Sequence, residues 1–307
     1  MGFASDGANN VSGQHNSCYS RIKEENPKIV QVKCVMHSLA LCVQWGFEKL
    51  PSAISTIIQK IPAHFSYSGI RREEFLKIQE KFLEKKEFQE FNEFVDQERL
   101  ADARAPNPFQ QNSATRFLVK GPLLKKILLN WPVLLDYFTQ AERCAPVNQR
   151  GDIRQILEIL NNCTFKLMLS SIVPIILEFE SLNAKFQSSN PELLELQDEL
   201  ELLFRTTERR IYESDQSGRL KKLHYARADL GWKFDDECQK LISSKQVNSD
   251  QVRSVRETLC SFIYELYEQL KQRVPATRVS LESYAKMRPE KIINTATKMT
   301  FTELLYR

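Results

Sequence analysis

The stretch KIVQVKCVMHSLAL, residues 28–41, contains the change of period that decides the fold. Up to Cys34 it alternates, with β-branched residues at every second place, as a half-buried strand does. From His37 onward the apolar residues recur three and four apart, which is the spacing of one helical face. Upstream, Gly2 to Asp6 reads as the end of another strand, and residues 7–25 leave room for one helix between the two. Two strands are too few for a sheet that stands alone, so this unit needs further strands or a partner.

Downstream, the helical period persists. Phe75, Ile78 and Phe82 share one face, as do Phe88, Phe91 and Phe94. The clearest run is Leu124, Ile127, Leu128, Trp131, Leu134, Leu135, Phe138, expected as one helix. A second is Val252, Val255, Leu259, Phe262, Ile263, Leu266, Leu270. Leu193, Leu196, Leu200 and Leu203 mark another, started by Pro191 after an Asn190 cap. Such stripes are what amphipathic helices need simply to pack. Asp102 to Ser113 carries ARAPNPFQQN, polar and proline-bearing without period, and reads as a linker. The expected organisation is a strand-helix-strand piece over 1–36, a helical segment over 37–101, a linker over 102–115 and an all-helical domain over 116–307. The fold class is therefore mainly α.

With 42% hydrophobic residues in 307, the chain can bury a large core. Its net charge of +4, from 43 basic against 39 acidic residues, is too mild to announce a nucleic-acid binder. Seven scattered cysteines make no disulfide framework and read as reduced thiols of an intracellular protein. The opening MGFASDGANN has no signal-peptide character, and Asp6 stands where a myristoylation motif has Ser or Thr. The longest apolar stretch, Leu167 to Leu177, is interrupted by two serines and a proline, so no membrane span is expected.

Three blocks carry a resemblance. GFASDGANNVSG with SRIKEENPKIVQVKCVMHSLAL is similar to the block around the second catalytic carboxylate of the hAT transposases, the RNase H-like superfamily that includes hobo and Activator. In that family Asp-Gly-Ala ends a strand, a helix and a strand follow, and a Cys-x-x-His pair comes next. Asp6 matches the Asp, Gly7 and Ala8 its neighbours, and Cys34 and His37 the pair that supports the active-site strand. WGFEKLPSAISTIIQKIPAHFSYSGIRREEF resembles the next helical block, with Phe65, Ser66 and Ser68 at its Phe-Ser-x-Ser segment. SATRFLVKGPLLKKILLNWPVLLDYF resembles the Thr-Arg-Trp motif and its long helix. Arg116 matches the arginine, but Phe117 stands where the family has the tryptophan that stacks on an extruded base. After about Phe165 the likeness is patchy.

The resemblance implies a short RNase H-like α/β remnant followed by a large helical insertion domain, in a transposon-derived protein of the nucleus. The family's chemistry needs three carboxylates holding two Mg²⁺ or Mn²⁺ ions that clamp the oxygens of a phosphodiester. Asp6 is one. The first Asp belongs to a strand upstream of the matched block, and nothing between Arg273 and Arg307 resembles the signature around the terminal Glu; Glu282, Glu290 and Glu303 lack its context. The chain by itself is thus expected to hold no cofactor and to act as a non-catalytic module that binds DNA or a protein partner, a second copy of itself included. Two other readings stay open: an active transposase whose missing ends reflect truncation, and an all-helical interaction scaffold.

Read from the residues alone, Asp6 before Gly7 is also an ordinary turn pair. His15-x-x-Cys18 and Cys34-x-x-His37 have the spacing of a zinc knuckle, although the first pair falls in an expected helix. His64 and His224 have no evident partners and read as surface or core residues. Arg116, Lys120, Lys125 and Lys126, and the run of seven Lys or Arg from Lys271 to Lys298, can meet phosphate or serve as solvated helix faces. Limited proteolysis is expected to cut first within 102–113, as an exposed proline-bearing connection should; early cuts inside Leu124 to Phe138 would contradict both the linker and the helix.

Overall fold

The computed structural model describes residues 2–6, 8–13, 15–66, 68–84, 109, 120–187 and 193–274. Several expectations lie outside these residues: the stripe Phe88, Phe91, Phe94, the linker apart from Phe109, Arg116 and Phe117, the Asn190 cap with Pro191, and the basic tail beyond Val274. The described chain is mainly helical, with twelve helices and two separate two-stranded sheets.

Strand β1, Gly2–Ser5, pairs in parallel with β2, Val30–Lys33, in the register Gly2 to Val30 and Ser5 to Lys33. A short helix α1, Asn9–Ser12, and a longer α2, Cys18–Glu25, connect them. Ser17 caps α2 reciprocally with Ser20, so His15 lies ahead of the helix rather than in it. Helix α3, Val35–Phe47, follows β2 without a loop.

The core forms around the longest apolar segment. Helix α9, Cys163–Phe186, starts at Asn162, whose side chain accepts from the Thr164 N–H, and buries thirteen residues around most of its circumference. The run Leu167 to Leu177 is therefore a core helix: it is enclosed by α3, by α6 (Lys120–Leu129), α8 (Val147–Leu160) and α10 (Leu193–Ile211), and by α11 (Trp232–Ser243) and α12 (Ser249–Arg273). Among the described residues no single helix is long and apolar enough to cross a membrane.

The stripe Val255, Leu259, Phe262, Ile263, Leu266, Leu270 is buried as its period requires, behind a capping box formed by Asn248 and Gln251. It packs on α3 at Gly46, where an added Cβ would lie 2.9 Å from Leu266 Cδ2 and 3.0 Å from Phe262 Cε2. The missing side chain there sets the interhelical distance.

A second layer joins α4, Ser52–Ser66, and α5, Gly69–Glu84, to α7, Trp131–Cys144, and α8. Its centre is aromatic. Phe65 lies 5.3 Å from Phe75, 5.2 Å from Phe109 and 5.1 Å from Tyr137 between ring centroids. His64 joins the cluster through Phe138 and shares a 2.9 Å hydrogen bond with the Tyr137 hydroxyl. Burial lowers the imidazole pKa to about 4, with Arg71 acting in the same direction. Phe109, inside the expected linker, is fully buried in this cluster. One continuous hydrophobic core therefore spans residues from both sides of 102–115.

Two expectations are corrected. The run Leu124 to Phe138 is two helices, α6 and α7, broken at Asn130. Pro132 has no N–H to continue the ladder and sits in the first turn of α7, where none is needed. Periodicity missed the break because the stripe resumes in phase. The segment 116–307 is also not helical throughout. Strands β3, Tyr212–Ser214, and β4, Leu220–Lys222, form an antiparallel hairpin, turned by the Asp215 carboxylate and by Gly218 at φ 77°.

Gly46→Val is expected to destabilise the fold by about 1–3 kcal/mol, because Leu266 and Phe262 must move to admit the side chain. Urea denaturation measures this; an unchanged midpoint would mean that α3 and α12 are not held at that separation.

Candidate functional site

The parallel strands bring the first set of expected site residues to one edge. Asp6 follows the carboxyl end of β1, and the Cys34 N–H donates to the Ser5 carbonyl at 2.7 Å, extending the pairing to the end of β2. Loops at the carboxyl ends of parallel strands are where α/β folds place functional groups. Asp6 is exposed, and its carboxylate accepts from the Ala8 N–H at 3.0 Å, an Asx turn that orders the chain leaving β1. Cys34 is the N-cap of α3, and His37 lies half-buried in the first turn of that helix. That turn is fixed from the core, since the buried Asn183 amide of α9 donates to the Met36 carbonyl at 3.1 Å.

The donors at this edge do not fit a two-metal clamp. Among the described residues no three His, Cys, Asp or Glu side chains are gathered as metal ligands. The zinc spacing fares no better: His15 and Cys18 are both exposed, on either side of the Ser17 cap. His224 is exposed, with its ring 4.0 Å from that of Tyr225.

The second expected set, around Lys120, is divided. The Lys120 ammonium is turned toward the core, 4.6 Å from the centre of the Phe47 ring. Lys125 and Lys126 are half-exposed on α6. Beside Lys120 lies Glu180 of α9, only 7% exposed, which accepts from the Gly121 N–H at 3.1 and 3.2 Å. A carboxylate at a helix N-terminus is favourable, but burial dominates and raises its pKa to about 7 against these bonds and the Lys120 charge. Burial also lowers the pKa of Lys120, so each group is pushed toward its neutral form. A Cβ at Gly121 would stand 2.5 Å from Glu180 Oε2, so any larger residue there would push that carboxylate aside. Sequence reading passed over Glu180 and Asn183; the signal was two polar residues three apart, in phase with the apolar face of Leu169, Ile172, Val173 and Ile176.

A groove of about 550 Å³ opens between α9 and α10, walled by Pro174, Leu177, Leu182, Leu202 and Leu203, with Glu178 and Glu199 among its lining residues. Leu202 is 60% exposed there. Arg210 pairs with Glu178 at 3.1 Å and Lys185 with Glu199, so both carboxylates are already compensated.

Compared with protein-family models, curated proteins and solved structures, the chain matches none.

Glu180 makes the stability of the fold depend on pH. Its folded pKa of about 7 exceeds the usual 4.5, so the folded chain keeps a proton that the unfolded chain releases. The stability this confers is fully present below pH 4.5 and is lost as pH rises through about 7, a change of about 3 kcal/mol. Glu180→Gln is expected to remove that dependence, so that its unfolding free energy gains on wild type between pH 4.5 and 8. Parallel curves for the two proteins would refute the shift.

Proposed function

We propose that the chain is a transposon-derived, non-catalytic hAT transposase-like protein that serves as a nucleic-acid- or protein-binding module, with its N-terminal α/β piece a remnant of an RNase H-like domain. One observation carries this reading: a parallel β1–β2 pair with Asp6 just past one strand end and Cys34 and His37 just past the other. This is the order and connection that the sequence resemblance implies. The sequence resemblance identifies Asp6 as one of the three acids that phosphodiester cleavage by a two-metal clamp needs, which favours a binding role over catalysis. DNA is the partner this ancestry favours, in a nuclear protein. The apolar groove between α9 and α10 favours a second reading, a protein-interaction scaffold, since an exposed Leu202 over an apolar wall suits an apolar side chain.

Incubated with supercoiled DNA and Mg²⁺ or Mn²⁺, the purified chain is expected to show no nicking or strand transfer beyond that of Asp6→Ala. Metal-dependent cleavage lost in that variant would restore the enzyme reading. Titration with duplex and hairpin DNA is expected to show weak binding that falls steeply between 50 and 200 mM salt. No binding at low salt would leave the scaffold reading, and tight salt-insensitive binding would require a specific base-reading site.

A further inference from the structure

Away from both expected sites, residues 219–228, RLKKLHYARA, carry four Lys or Arg and no acid. They form β4 and the loop that returns along the end of α10. The acids near them are already engaged. The Asp215 carboxylate holds the hairpin turn, accepting from the N–H groups of Ser217 and Arg219 at 2.8 and 2.9 Å. Glu213 accepts from the two terminal guanidinium nitrogens of Arg227, at 3.1 and 2.7 Å. Asp229 pairs with Arg210 at 3.6 Å. Arg219 and Lys221 remain exposed with no ion pair among the described residues, and Arg209 is exposed on the last turn of α10 leading into β3. The Asp215 carboxylate keeps its charge beside Arg219, and Glu213 lies across the ladder from Lys221, but over residues 208–229 the Lys and Arg outnumber the acids and the surface is net positive.

The same loop presents aromatic surface. Trp232, the first residue of α11, is 72% exposed, the most exposed aromatic among the large hydrophobic residues of the described chain. Burying a tryptophan is strongly favourable, yet this ring stays outside, with the Lys233 ammonium 5.7 Å from its centre. Trp232 lies three residues past Asp229, whose N–H bonds to the carbonyl of Arg210, the neighbour of Arg209, so the Trp232 and Arg209 backbones are at most about 20 Å apart, a span of a few nucleotides. The surface is also held in place rather than floating. The Leu223 N–H bonds to the Ile211 carbonyl at 2.8 Å and the Asp229 N–H to the Arg210 carbonyl at 2.9 Å. Ala228 and Leu230 are buried beneath it, and Gly231, at φ 90°, makes the turn into α11.

We propose that the β3–β4 hairpin and the loop to α11 form a docking surface for single-stranded DNA, with Arg209, Arg219 and Lys221 meeting phosphates and the Trp232 ring stacking on an unpaired base. A duplex keeps its bases stacked inside and offers a tryptophan face nothing but sugar edges, whereas an unpaired strand presents both phosphate and base face. The choice of DNA rests on the nucleic-acid reading above; the surface itself does not include the residues of that resemblance.

The test is fluorescence anisotropy with labelled dT20, its duplex with dA20, and rU20, at 50 and 200 mM salt. The whole chain is compared with Arg219→Glu/Lys221→Glu, Trp232→Ala, Trp232→Phe and Lys125→Glu/Lys126→Glu, each checked for its helical circular dichroism. Expected are preference for dT20 over duplex, a loss of about tenfold or more in the hairpin charge variant, about tenfold in Trp232→Ala, a smaller loss in Trp232→Phe, and none in the α6 variant. Quenching of tryptophan emission by dT20 should vanish in Trp232→Phe. If the chain binds DNA but the hairpin and Trp232 variants bind like wild type, or duplex is preferred, the docking surface is refuted while the nucleic-acid reading stands. Tighter binding of rU20 refutes the choice of DNA. No binding of any probe at 50 mM salt overturns both.

Discussion

The structure depends on the enclosure of α9. A helix apolar around most of its circumference keeps only a narrow solvent face, so it is stable only when neighbours cover the rest. Six helices do so, leaving a strip that carries Glu178, Ser181 and Lys185. Their positions follow from what each meets on α9 or on the layer around it: α12 approaches α3 as closely as Gly46 allows, and α6 approaches α9 until Gly121 meets Glu180. Both glycines sit where a helix must come nearer than a side chain permits, despite a cost of roughly 1 kcal/mol each in helix propensity.

The polar groups within this apolar packing give it direction. Leucine contacts alone leave many registers nearly equal, but Asn183 must satisfy the Met36 carbonyl and Glu180 the start of α6, and a one-turn slip would strand both inside the core. Through Asn183 the core also fixes the first turn of α3, and through Cys34 that helix continues the β1–β2 pair. The edge bearing Asp6 is thus tied to the core by a short path. Its two-stranded sheet is positioned on the core through α3 and Asn183.

Two buried titratable groups bias stability in opposite senses. Glu180, raised to about 7, favours the folded chain at lower pH. His64, lowered to about 4, disfavours it there, because the unfolded imidazole takes a proton near pH 6.5 that the buried ring refuses. Between pH 4.5 and 6.5 the two slopes oppose each other, and they arise in different layers of one core.

The sequence determined the periods. Alternation over Lys28–Cys34, the stripe of α12 and the leucines of α10 each depend on residues within one element, where side-chain direction follows from backbone geometry alone. It also placed Asp6, Cys34 and His37 at strand and helix ends. What it could not determine was anything requiring two elements to meet. The break at Asn130 was hidden because apolar spacing resumes in phase beyond Pro132, and the 212–222 hairpin because its strands are three residues long and mostly polar. Phe109 looked like part of a linker because its partners, Phe65 and Phe75, come from another stretch of chain. Lys120 looked like a free cation until Phe47 and Glu180 were brought against it. Burial, and with it the protonation of Glu180 and His64, is a property of several elements packed together, so only the tertiary structure decided which polar residues became structural and which stayed exposed.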